Sequence, residues 1–195
     1  MQPQQTILGS QSPRRREIFS YFSLPFEAVT PDFDEDSVHF DNNPEEYVCA
    51  LSQGKADSLY PRFPYATIIT ADTIVYREGK IFGKPRDRQE ALETFMSLAG
   101  NWHTVYTGVT VRQREKVFSR AEATRVLFNP MLPKQIDNYL DKVEWADKAG
   151  GYAIQKAGGL IVRRIEGCYY NVMGLPINTV EKLLLHVGVE LWDYL

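Results

Sequence analysis

The sequence predicts an α/β protein, and three observations carry that prediction. A short apolar run, Thr6 to Leu8, is followed at once by a helix opened by a proline. Tyr65 to Ala71 is β-branched or apolar on both faces, as expected of a central strand. Helical periodicity and β-rich runs then alternate along the rest of the chain. At 195 residues, 44% hydrophobic and 24% charged, the chain can bury a sizeable core as one domain or as two closely packed lobes.

Ser12 and Pro13 form a good helix start, since serine caps the first turn and proline lacks an N–H that would go unpaired there. Ile18, Phe19 and Phe22 supply that helix with an apolar face. Its opening gathers hydroxyls from Ser10 and Ser12 with the guanidinium groups of Arg14 and Arg15, a combination that suits a polyphosphate. An ordinary capped helix with solvated arginines is the plainer reading of this stretch alone.

Pro25 to Val29 reads as a second strand, leading into the acidic loop Asp32-Phe33-Asp34-Glu35-Asp36. Such a loop is usually solvated, although one carboxylate turned inward could help hold a divalent cation. Asn43-Pro44-Glu45-Glu46 starts a helix reaching about Tyr60, where Lys55 in isolation reads as a complement to the helix dipole. The central strand should deliver Asp72 and Thr73 at its carboxyl end, where open α/β sheets bind ligands. A carboxylate between two apolar strand runs is costly to bury without a partner, which favours a functional role for Asp72.

Ile74 to Tyr76 and Ile81-Phe82 should pair across the turn Arg77-Glu78-Gly79-Lys80. Gly83-Lys84-Pro85 presents Lys84 from a stiff loop. Asp87 and Glu90 read as a capping box for a helix carrying Leu92, Phe95, Met96 and Leu98, closed by Gly100. Trp102–Arg112 and Val117–Phe128 form a long hairpin, more scaffold or dimer surface than chemistry. A short helix enters near Pro133 and ends at Leu140. Between Trp145 and Gln155 a glycine pair separates Lys148, which offers charge to a phosphate, from Gln155, whose amide can read a base edge. Leu160 to Ile165 reads as a strand, and a helix from Pro176, closed by Gly188, ends the pattern.

The formal net charge of −3 disfavours a nucleic-acid polymer as partner. Two unpaired cysteines, Cys49 and Cys168, suggest neither a disulfide framework nor a zinc site. The polar start, Met1 to Gln5, lacks a signal pattern, and no apolar run could span a bilayer, so the expectation is a cytoplasmic protein without a membrane partner. His39, His103 and His186 lack ligand spacing, and no serine or cysteine has a neighbouring base pattern for covalent catalysis.

Taken together, Ser10-Gln11-Ser12-Pro13-Arg14-Arg15, Asp34-Glu35, Lys55-Ala56, Ala71-Asp72-Thr73, Gly83-Lys84-Pro85, Leu98-Ala99-Gly100, Asp147-Lys148-Ala149-Gly150, Ile154-Gln155 and Gly174-Leu175-Pro176 resemble, in order and spacing, the Maf family of nucleoside triphosphate pyrophosphatases. The resemblance spans 1–195 as a single domain. It implies an elongated mixed β-sheet with helices packed around it, two lobes and a central cleft, similar to the inosine triphosphate pyrophosphatases. It further implies hydrolysis of a nucleoside triphosphate to the monophosphate and pyrophosphate, with Mg²⁺ or Mn²⁺ as cofactor and a homodimeric assembly. On the matching positions, Asp72 resembles the general base. Ser10, Arg14, Arg15, Lys55 and Lys84 resemble the phosphate-facing set, and Glu35 a metal or water ligand; Lys148 joins the substrate-binding candidates by its charge, and Asp72 joins Glu35 as a candidate metal ligand. Arg14, Thr73 and Gln155 match the branch acting on dTTP and UTP. A nucleotide-binding regulator of cell division with slow or incidental hydrolysis is the alternative of a different class. The chain departs from the family pattern at Gly9, at Lys156 and at Ser52-Gln53-Gly54, where glycine should loosen the helix by about 1 kcal/mol.

Overall fold

The computed structural model describes residues 5–195; of the polar start, Met1 to Pro3 and Gln4 lie outside the described residues. The strands are β1 (Thr6–Gly9), β2 (Glu27–Val29), β3 (Thr67–Arg77), β4 (Lys80–Phe82), β5 (Trp102–Gln113), β6 (Lys116–Phe128) and β7 (Val162–Glu166). The helices are α1 (Pro13–Phe19), α2 (Pro44–Leu59), α3 (Arg88–Leu98), α4 (Pro133–Leu140), α5 (Gly158–Ile161), α6 (Tyr169–Val172) and α7 (Ile177–Leu185). Among the described residues the strands form a seven-stranded sheet in the order β2-β1-β3-β5-β6-β7, with β4 paired to β3. β1 runs parallel to both β2 and β3, while β3–β4 and β6–β7 are antiparallel, so the sheet is mixed as expected.

The chain divides into two compact units, neither continuous in sequence. The first comprises the chain up to Asp72, Thr107–Glu122 and Gly174–Leu195; the second comprises Thr73–Tyr106 and Ala123–Met173. Each has its own apolar core. In the first unit Ile7, Val29, Ala56, Leu59, Ala66 and Ile68 pack together. In the second, Phe95 and Phe128 sit among Val75, Val105, Ile136 and Tyr152. Continuous β-branched runs such as Thr67-Ile68-Ile69-Thr70 suit a strand covered on both faces, and all four residues are fully buried.

Several elements differ from the sequence reading. Asp72 is not at the end of its strand: β3 continues through it to Arg77. What ends is the parallel partner, because the β1–β3 register stops at Gly9 opposite Thr70. Asp72 therefore lies two residues beyond the last pair of the parallel ladder, on a strand that itself continues. α1 ends at Phe19, so Phe22 follows the helix. Glu90 closes no box on Asp87; its carboxylate accepts from the backbone N–H and the Nε of Arg86, while Asp87 caps the Glu90 N–H at 2.8 Å. Met96 faces solvent at 54% exposure. Leu160 and Ile161 belong to the turn α5 rather than to a strand: Gly158 packs so closely on the Ala153 carbonyl that a Cβ would fall 2.0 Å from its oxygen, and strand pairing starts only at Val162.

Candidate active site

The site assembles within the first unit, on four segments: the β1–α1 connection, α2, β3 and the acidic loop. The first is the β1–α1 connection. Ser10 is buried, its N–H bonded to the Leu8 carbonyl and its Oγ accepting from the Ser12 N–H at 3.1 Å. Ser12 caps α1 by accepting from the Arg15 N–H, at a long 3.5 Å. α1 has only seven residues, so its dipole adds little and its charge lies in its side chains. Arg14 is half-buried. Arg15 donates from Nε to the Gly174 carbonyl at 2.7 Å, which fixes the guanidinium and gives the Gly174-Leu175-Pro176 motif a physical role. Burial lowers the Arg15 pKa, with neighbouring Arg14 acting in the same direction, while Asp72 and Glu35 oppose the shift. Both carboxylates therefore act on Arg15.

The second segment is α2. It is seated on β5 by close contact at Gly108, where a Cβ would fall 2.1 Å from the Val48 carbonyl oxygen. Ser52 adds two polar ties: its hydroxyl shares a 2.8 Å hydrogen bond with Thr110, and its carbonyl accepts from Thr70 at 2.6 Å. Lys55, one turn further on, is thereby carried to the sheet. It is 9% exposed, so the dipole reading of this lysine is corrected: the ammonium is buried against carboxylates, not solvated at a helix end.

Lys55 Nζ donates to Asp72 Oδ1, and to Glu35 Oε1 at 2.8 Å. Asp72 is itself only 8% exposed. Of the acidic loop, one carboxylate does turn inward: Glu35 opens a 3-10 turn, Glu35–Ser37, capped by Asp34. Asp72, Lys55, Glu35 and Arg15 form a cluster of two negative and two positive side chains. Within it, desolvation strengthens the Lys55–Asp72 pair and makes the loss of either partner costly, whereas the Glu35 carboxylate is half exposed. Tyr47, on the same α2 face as Leu51 and Lys55, was not singled out by motif. Its phenol is held above the ordinary range by burial and then by the charges of Asp72, Glu35 and Asp36, so it too faces the carboxylates. The signal available in sequence was its i, i+4, i+8 spacing to Lys55.

The remaining candidates belong to the second unit. Thr73 follows Asp72 on β3, and the pleat directs its side chain to the opposite sheet face. Lys84 is exposed on its loop, which is fastened to the glycine pair by the Gly150 N–H donating to the Gly83 carbonyl at 2.9 Å. Lys148 is buried, and its ammonium donates to the Asp147 carboxylate and the Glu144 carbonyl, so a phosphate there would compete with Asp147. Gln155 is half-buried.

Among the described residues no group of three or more His, Cys, Asp or Glu side chains converges as a metal cage. Glu35 and Asp72 nonetheless converge on one cation, the Lys55 ammonium. Two carboxylates are enough for Mg²⁺ or Mn²⁺ when phosphate oxygens and water complete the shell, so the residues fit such an ion.

This arrangement defines a mixed α/β protein carrying a buried acid–base cluster beside a serine- and arginine-rich turn. The fold is similar to that of the Ham1 protein of Staphylococcus aureus, with a TM-score of 0.53 and 13% identity over 94% of this chain and 100% of that one. The family model described as Maf-like protein matches residues 5–187, and the chain belongs to the Maf family. It is 44% identical over 196 residues to the dTTP/UTP pyrophosphatase of Chlamydia caviae, and 43% identical over 196 residues to that of Chlamydia felis; in both cases 100% of each chain is covered.

Proposed function

We propose that this protein is a nucleoside triphosphate pyrophosphatase that hydrolyses dTTP and UTP to the monophosphate and pyrophosphate. The observation that carries the reading is the buried Asp72 carboxylate, held through one oxygen by Lys55 and flanked by Arg15 and Glu35. Full-length similarity to relatives named dTTP/UTP pyrophosphatase supports the choice of substrate.

In the proposed reaction Asp72 orients a water and accepts its proton as the water oxygen bonds to the α-phosphorus. The bond from that phosphorus to the α–β bridging oxygen breaks, and its electron pair leaves with pyrophosphate. Arg14, Arg15 and Lys55 stabilise the charge that grows on the leaving group, and Ser10 orients the phosphate chain. Arg15 is pre-positioned for this by its bond to Gly174, so little reorganisation is needed. Mg²⁺ or Mn²⁺, held by Glu35 and Asp72, would neutralise phosphate charge and polarise the scissile phosphoryl group. Lys84, Thr73 and Gln155, by the family resemblance, and Lys148, by its charge, are the further substrate-binding candidates, and the Gln155 amide is suited to reading a pyrimidine edge.

A cytosolic homodimer belongs to the same reading and rests on the family resemblance; no helix among the described residues is long and apolar enough to cross a membrane. The substrate is the free nucleotide, not a nucleic-acid polymer, in keeping with the net charge of −3. Pyrophosphate release from a panel of nucleoside triphosphates, with and without Mg²⁺, tests the proposal. Faster turnover of dTTP and UTP than of purine triphosphates is the expected result. Nucleotide binding without pyrophosphate release would instead favour the regulator.

A further inference from the structure

We infer that Phe33 and Gly54 form a positioning contact that holds Glu35 against Lys55, and that glycine stands at 54 for this reason. Glycine inside a helix is unfavourable relative to alanine, so its presence in the middle of α2 calls for a compensating gain. The geometry supplies one. A Cβ at Gly54 would lie 2.2 Å from Phe33 Cζ, 2.3 Å from Cε2 and 2.9 Å from Cε1. The tip of the ring therefore occupies the space that any side chain at 54 would need.

The two contacts run in register. Phe33 and Glu35 are two residues apart on the acidic loop, and they touch the consecutive α2 residues Gly54 and Lys55. Between them Asp34 caps the turn, its Oδ1 accepting from the Asp36 N–H at 3.1 Å and its carbonyl accepting from the Ser37 hydroxyl at 2.6 Å. The turn is thus internally braced, and the Phe33 ring anchors it to the helix. Glu35 needs that anchor because its side chain is 51% exposed, and an ion pair so open to solvent is worth little by itself. Displacing the ring should free the whole turn and draw Glu35 from Lys55, leaving Asp72 and Lys55 in place. Phe33 and Gly54 are positioning residues: they act on the site only through Glu35.

The consequence for catalysis rests on the hydrolase reading, but the contact itself does not, and the test separates them. Amide hydrogen exchange is compared in the full-length protein, without nucleotide or metal, for wild type, Gly54→Ala and Phe33→Leu. The amides of residues 34–38 should exchange about fivefold faster in Gly54→Ala, the factor expected from losing part of a phenylalanine's burial, while α2 stays at least as protected. Unchanged exchange at 34–38 in both variants would overturn the inference. In pyrophosphate release, Gly54→Ala should raise half-saturating Mg²⁺ by roughly two- to fivefold, the size of an exposed ion pair's contribution, and should add nothing in a Glu35→Ala background. An additive effect in that background would contradict action through Glu35. If Glu35→Ala leaves turnover and Mg²⁺ dependence unchanged while Gly54→Ala still loosens the turn, the contact stands and Glu35's place in the hydrolase reading falls.

Discussion

Lys55 and Asp72 form a buried ion pair, with the ammonium also shared by Glu35. Both groups have left bulk water, so each depends on the other, and removing either has a different expected consequence. Lys55→Met leaves Asp72 without its bonded cation and should destabilise the fold by about 3–5 kcal/mol. Asp72→Asn keeps an acceptor for Lys55 and leaves Glu35 as its counter-charge, so the melting temperature should fall much less. Thermal melts of the two variants side by side check this; equal losses would mean that Glu35 contributes nothing to holding Lys55.

Arg15→Lys keeps the positive charge but loses the fork that bonds Gly174 and that, in the proposed reaction, also stabilises the leaving phosphates. The expected result is a fall in kcat/KM for dTTP of about tenfold, the scale of one charge-assisted hydrogen bond. Steady-state kinetics on a panel including Arg14→Ala would read this, with Arg14→Ala affecting triphosphate use far more than melting temperature.

His103 is buried in the second unit, with Nε2 bonded to the Tyr152 hydroxyl at 2.8 Å and its ring edge-on to Phe128. Burial, aided by the charge of Arg77, lowers its pKa to about 4 from the ordinary 6.5. The unfolded chain therefore binds a proton that the folded chain refuses between those values. Stability from this group is full above pH 6.5 and falls as the pH drops toward 4. The loss should be roughly 2 kcal/mol by pH 5 and about 3 kcal/mol at its limit. Urea unfolding of wild type and His103→Gln at pH 7.5 and pH 5 measures it, and the variant should show a smaller pH difference. Identical pH dependence would remove His103 as the source.

Much of this was legible in sequence because it was written in local chemistry. Ser12-Pro13 and Asn43-Pro44 mark helix starts by capping, and both helices begin there. The hairpin turn at Glu78-Gly79 is equally local: both residues have positive φ, as a tight turn of this kind requires. The misplaced features depend on distant partners. Asp72 read as a strand end because the apolar pattern breaks there, whereas the end that matters belongs to β1, over sixty positions away in the chain. Lys55 read as a dipole complement because its burial depends on Ser52 and Gly108 seating α2 on β5, contacts that no window along the chain contains. Tyr47 carried no motif at all.

Gln155 is expected to set base preference, since an amide can donate to and accept from a pyrimidine edge. Gln155→Ala should lower kcat/KM for dTTP and UTP by roughly tenfold while leaving purine triphosphates nearly unchanged, so that discrimination shrinks. Competition assays with paired nucleotides read the ratio directly. A variant that discriminates as well as wild type would move base recognition elsewhere.

The most direct measurement is the single-turnover rate of pyrophosphate release from dTTP by wild type and Asp72→Asn, at saturating nucleotide and Mg²⁺, with both proteins shown folded by their melting curves. A fall of about 10²–10⁴ in the rate, with nucleotide still bound, is the result expected of a lost general base. A folded Asp72→Asn protein that releases pyrophosphate at the wild-type rate would contradict it.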